Sequence, residues 1–228
     1  MRFRFSVLFL FLFFLSGCKS GKSASNCLDD LNAIKKEFFR SILQENVDES
    51  PFHIQYSVKT VLFSQDVVSL FGEIAVYDHL PHGWGWYEGK TLCKINGQFR
   101  EIMLDELFPS SEQKEFLRTY CENDLKRTYG ELTYLVGMKE ICPTLPLQDI
   151  STFVVDERFL IIIFQPYSVG GCGDGPFVVK MPYQSLEGHW NPANPLRVLI
   201  PKVISSQSFT SCWDEEIFHT IDESATPA

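Results

Sequence analysis

FVVDERFLIIIFQPYSVGGCGDGPFVVKMPYQSL, residues 153–186, is the stretch that decides the fold. It reads as a strand, a tight turn at Asp156-Glu157-Arg158, and a strongly apolar return strand, FLIIIF. That run falls far short of the ~20 residues of a membrane-spanning helix. Its β-branched residues stiffen the side chains and disfavour a helix of any length. A buried central strand is the expectation. A glycine-crowded polar loop follows, then a third strand, PFVVKM, and a proline-started turn into a short helix, PYQSL. Strands this apolar need covering, and the remainder of the chain has to supply the cover.

Working outward, residues 28–46 carry apolar side chains at Leu28, Leu31, Ile34, Phe38, Phe39, Ile42 and Leu43, the spacing of an amphipathic helix, with Asn26 as its cap. From 52 to 77 the period drops to two, giving two long strands around Gln65-Asp66. Residues 78–89, DHLPHGWGWYEG, read as an irregular loop rich in aromatics and glycine. TLCKI, Asn96-Gly97 and QFREI form a hairpin, since Asn-Gly suits a type I′ turn. Ser110 with Gln113 makes a capping box for a helix that Gly130 can end. Residues 140–147 hold two prolines and read as a loop. After NPANP, RVLIPKVI is expected as a final edge strand, followed by a tail.

The N-terminus has the build of an export signal: Arg2 and Arg4, then an apolar core over 5–15, then Leu15-Ser16-Gly17-Cys18. LSGC resembles the lipobox of bacterial lipoproteins. The resemblance implies cleavage before Cys18, diacylglycerol on its sulfur, palmitate as a lipid component, and a lipid anchor in the cell envelope. Lys19 after the cysteine points to the outer membrane, facing the periplasm. The expected organisation is a signal peptide over 1–17, a lipidated tether over 18–25, one domain over 26–204 and a tail over 205–228.

The chain carries a formal charge of −9, and near −11 once Arg2 and Arg4 are removed (−9 − 2). That acidity argues against nucleic acid and suits a cationic partner. Six cysteines remain beside Cys18: Cys27, Cys93, Cys121, Cys142, Cys172 and Cys212. An even number in an exported chain suggests disulfides, with Cys121–Cys142 the preferred pair; buried free thiols are the alternative.

Taken together, Phe164, Pro166, Tyr167, Gly175, Phe177, Val178, Val179, Pro182, Tyr183 and Leu186 form a recognisable order, preceded by His82-Gly83, Gly97 and Leu104-Asp105-Glu106-Leu107-Phe108. Over about residues 52–190 this resembles the extracytoplasmic domain shared by RsiV-type lysozyme-sensing anti-sigma factors and PdaC-type peptidoglycan deacetylases. Leu80-Pro81 stand where that pattern has small residues. The resemblance implies an α+β fold, a curved, mostly antiparallel β-sheet with helices packed on one face. It also implies a lysozyme-like hydrolase or peptidoglycan as the partner.

No motif for catalysis stands out. Asp78, His79 and His82 have metal-ligand chemistry, but Pro81 and Gly83 break the helix that would align both imidazoles. The loop 170–175 lacks the Lys-Ser/Thr of a phosphate loop, so its glycines read as turn formers. His82, Trp84, Trp86, Tyr87, Tyr167 and Asp174 are the candidate contact residues, because aromatics and polar groups on loops serve recognition. The expectation is a binding protein that is not an enzyme and needs no cofactor or metal. The alternatives are a structural envelope lipoprotein and a peptidoglycan-modifying enzyme.

Overall fold

The structure is a computed structural model. It describes residues 24–46, 53–77, 84–130, 132, 134–136, 140–170, 176–199 and 218–221. It is an α+β protein built on antiparallel sheets.

The larger sheet is built from β1 (His53–Phe63), β2 (Val67–Tyr77), β3 (Trp84–Ile95) and β4 (Gln98–Glu101), with β10 (Phe218–Ile221) on the outer edge of β1. The β1–β2 turn closes through Ser64, whose Oγ accepts from Val67 N at 2.9 Å. The β3–β4 turn is the expected one: Asn96 and Gly97 both have positive φ, 53° and 85°. The smaller sheet has the order β7 (Thr152–Val155), β8 (Phe159–Ile163), β9 (Val178–Pro182). β8 lies in its middle, as its apolar run demands. A further antiparallel pair joins β5 (Tyr134–Val136) to β6 (Glu140–Cys142).

Side-chain alternation stacks these elements in layers. On β2, Val68, Leu70, Ile74 and Val76 form one cluster with Leu31 and Phe38 of α1 (Ala24–Asn46), which covers that face. Phe71 on the opposite face, with Val61 and Tyr87, meets Val154, Ile161 and Ile163 of the smaller sheet. The other side of that sheet, Phe153, Val155, Leu160 and Ile162, packs with Leu117, Cys121 and Leu125 of α3 (Ser111–Tyr129). Ile161 and Ile162 thus point into different cores, and each buried side chain contributes about 1.5–3 kcal/mol of burial free energy. A one-turn helix, α2 (Leu104–Leu107), leads into α3. The capping box forms as expected: Ser110 Oγ accepts from Gln113 N at 3.2 Å, and Gln113 Oε1 accepts from Ser110 N at 3.0 Å.

Four expectations are corrected. α1 begins at Ala24, so Asn26 lies inside it instead of capping it. Residues 84–89 are strand, because Gly85 and Gly89 lower β-propensity locally yet serve close packing. A Cβ on Gly89 would lie 2.3 Å from the Phe153 carbonyl oxygen, so only glycine lets β7 approach β3 so closely. Residues 140–142, read as loop, are strand β6. The edge strand expected at 197–204 is absent over its described part, where Pro195–Leu199 forms a 3₁₀ turn. Its three-residue period points Leu196 and Leu199 together into the core. The described edge strand is β10, beyond that stretch.

The cysteines also depart from the preferred pairing. Cys93, Cys121 and Cys142 are free. Cys121 faces the core between Leu117 and Leu125, fully buried, and burial pushes its thiol pKa far up. The segments carrying Cys121 and Cys142 are joined by a hydrogen bond instead, Leu145 N donating to Glu122 Oε1 at 3.3 Å. Burial pushes the Cys93 thiol up to about 12, which leaves it protonated and unreactive. Cys27 lies on α1, and Cys18, Cys172 and Cys212 fall outside the described residues.

Candidate functional site

The two stacked sheets have two ends. At one end, called closed for its tight turns, sit the β1–β2, β3–β4 and β7–β8 turns, all short. At the other, called open because longer connections replace tight turns, sit the β2–β3 and β8–β9 connections, with the start of β7. Four of the six candidate contact residues in the sequence are described, and all four lie toward this second end. His82 and Asp174 belong to its two connections and lie outside the described residues.

The described four are divided by the pleat of β3. Trp84 opens that strand opposite Val76. Trp86, half-buried, packs with Ile74 in the cluster under α1. Tyr87, also half-buried, faces the smaller sheet, its ring centroid 5.8 Å from that of Phe71. Successive residues of a strand point to opposite faces, so the Trp86–Tyr87 pair cannot act as one aromatic patch. Trp86 lies on strand β3, not on a loop, and packs against the α1 layer.

Tyr87 and Tyr167 come together in a different way. β4 pairs only with Leu92–Ile95, leaving the earlier edge of β3 without a strand neighbour among the described residues. Gln165 covers that edge. Its Nε2 donates to Tyr87 O at 2.6 Å, and its Oε1 accepts from Tyr87 N at 2.9 Å. Nε2 also donates to Thr152 Oγ1 at 2.9 Å, at the start of β7. Two residues on, Tyr167 is 36% exposed and has φ +66°. Ser168 closes the turn around it, its N and Oγ donating to Gln165 O at 3.1 and 2.8 Å. Val169 then bridges to Tyr134.

The seam between the sheets is tied by polar side chains further along. Ser69 Oγ accepts from Val155 N at 2.9 Å and lies 3.0 Å from Thr91 Oγ1. All are buried, so these bonds fix the relative position of the two sheets below the site. Gln165 is the residue that sequence reasoning missed. No local pattern marks it, because its partner Tyr87 lies 78 positions away.

Residues 105–184 match the DUF3298 family model, described as a protein of unknown function. That span holds α3, the smaller sheet, Gln165 and Tyr167; β3 precedes it. Among solved structures, the chain is similar to a DUF3298 family member from Bacteroides fragilis NCTC 9343, at 16% identity over 78% of this chain and 73% of that one, with a TM-score of 0.50. It is also similar to a DUF3298 family protein from Pseudomonas aeruginosa PAO1, at 13% identity over 73% and 79%, with a TM-score of 0.49. At 16% identity the likeness to the Bacteroides fragilis structure is one of fold. No curated protein matches the chain.

Among the described residues no group of His, Cys, Asp and Glu is placed to hold a metal ion. His79 and His82 lie outside them. No helix among the described residues is long and apolar enough to cross a membrane.

Proposed function

We propose that this chain is a lipid-anchored binding protein of the bacterial cell envelope, held by an acylated Cys18 at the outer membrane. The open end of its stacked sheets contacts a basic, lysozyme-like hydrolase or a peptidoglycan fragment. The observation that carries this reading is the exposed Tyr167, on a turn that the Gln165 amide ties to the Tyr87 backbone. An exposed aromatic on a tied turn is a low-entropy contact, the kind that dominates recognition energy. The net charge of −9 supports a basic protein over an acidic one, by steering and complementarity. The resemblance to the RsiV and PdaC extracytoplasmic domain supports the same partner class.

Calorimetry of the full chain in detergent, against lysozyme and against soluble muropeptides, tests the reading. Lysozyme binding that weakens several-fold between low and moderate salt is the expected result, since exposed charges are screened. Binding to neither probe removes the proposal in this form. A deletion strain with a leaky envelope and unchanged lysozyme tolerance would place the protein among structural lipoproteins. Replacing Cys18 with Ser moves the protein from the membrane to the soluble envelope fraction if the lipid reading is right.

A further inference from the structure

We infer that Gln165 is the positioning residue of the open end: its carboxamide locks the 165–168 turn to the β3 edge and so holds Tyr167 in a preset conformation for its ligand. This rests on the function proposed above, and it adds a residue and a device that the reading itself does not supply.

The chemistry of the amide carries the argument. A carboxamide offers a carbonyl oxygen and an NH₂ side by side, the same pair a peptide group presents to a neighbouring strand. Gln165 uses all of it: Oε1 accepts from Tyr87 N, and Nε2 donates to both Tyr87 O and Thr152 Oγ1. It therefore substitutes for a paired strand where β4 has stopped, and it ties β3, β7 and the β8–β9 connection at one point.

The consequence sits two residues along. Tyr167 has φ +66°, a left-handed backbone that costs a residue with a Cβ roughly 1–2 kcal/mol and that glycine adopts freely. Such conformations persist where their surroundings over-determine them, and they cluster at functional sites. Here the turn is fixed at both ends: at Gln165 by the clamp, and at Val169 by its bridge to Tyr134. The strained residue between them is a large aromatic that remains 36% exposed. Glycine would adopt that backbone at no steric cost.

The experiment has one arm without ligand and one with it, both on the full chain in detergent. In the first, hydrogen exchange at the Tyr87 amide accelerates at least tenfold in Gln165→Ala, while the β8 amides keep their protection. Unchanged Tyr87 exchange in a folded Gln165→Ala protein overturns the inference whatever lysozyme does.

In the second arm, Tyr167→Gly weakens lysozyme binding about thirtyfold and Gln165→Ala about tenfold. In the double variant, Gln165→Ala adds no further loss, because its effect runs through Tyr167. Additive losses mean that Gln165 acts only through general stability, and they overturn its positioning role. If Gln165→Ala does not fold, Gln165→Glu replaces it. The glutamate keeps an acceptor for Tyr87 N but loses both amide donors, and the same non-additivity is required of it. Wild-type protein that binds neither lysozyme nor muropeptides sinks the proposed function and the recognition role together. The exchange arm then still decides whether the clamp exists.

Discussion

The two ends of the stacked sheets are built on different principles. At the closed end two of the turns are closed by side chains within three residues. Asp156 Oδ1 accepts from Arg158 N and Phe159 N, both at 2.7 Å, and Ser64 Oγ accepts from Val67 N. The buried Tyr183 hydroxyl reaches back to donate to Asp156 O at 2.7 Å. At the open end the decisive bonds run between residues far apart in the chain, through one amide. The local bonds of the closed end can form with their hairpins, whereas the Gln165 bonds to Tyr87 exist only once both sheets have docked.

The contrast breaks most severely at the seam that both ends share. Gly89→Ala is expected to destabilise the protein by about 3 kcal/mol, the upper part of the range for overpacking. Its Cβ would lie 2.3 Å from the Phe153 carbonyl oxygen and 2.9 Å from the carbonyl carbon. Those are backbone atoms in the centre of a docked strand, so the sheets must separate to admit it. Urea unfolding measures the loss. A change under 0.5 kcal/mol would mean that β7 does not press on β3 as described.

Asp156→Ala tests the closed end. It removes the one oxygen that accepts from two backbone N–H groups of the turn and leaves the fold otherwise intact. A loss of about 1.5 kcal/mol in unfolding free energy is expected, with ligand binding unchanged. Lost binding in this variant at equal stability would erase the division of labour between the ends.

What the sequence discloses follows the same division. FLIIIF, Asn96-Gly97 and the Ser110–Gln113 box announce themselves because each acts within a few residues, through burial, positive φ or a cap. The strand Trp84–Ile95 was hidden at its start because two glycines mimic a loop. Their purpose is visible only from Phe153, 64 positions after Gly89 (153 − 89). β10 was hidden for a similar reason, since its only described partner is β1, at the far end of the domain. At the site, aromatic residues drew attention by type alone. That picked out Tyr87, whose backbone the Gln165 turn holds, Tyr167 on that turn, and also Trp86, which the pleat turns to the opposite face from Tyr87. Gln165 carries no mark until its three hydrogen bonds are seen.

The smallest expected effect sharpens the picture of the corner after the β3–β4 hairpin. Arg100 donates to both oxygens of Glu106, at 2.8 Å each, and Met103 N donates to Glu106 Oε1 at 3.1 Å. The hydrogen bonds from Arg100, ahead of the one from Met103 N, hold the Glu106 carboxyl below its ordinary range. Between that lowered value and the ordinary ~4.3, the unfolded chain binds a proton that the folded protein does not. The stabilisation is therefore complete above about pH 4.3 and fades as pH falls through the folded value. The pair is largely solvent-accessible, so its full size is no more than about 0.5 kcal/mol. Arg100→Gln should cost that amount at pH 7 and nothing at a pH low enough to protonate Glu106, read from urea midpoints at both. An equal cost at both pH values would show that Arg100 holds the corner by packing over Cys93, its partner across the strand pair, and not by charge.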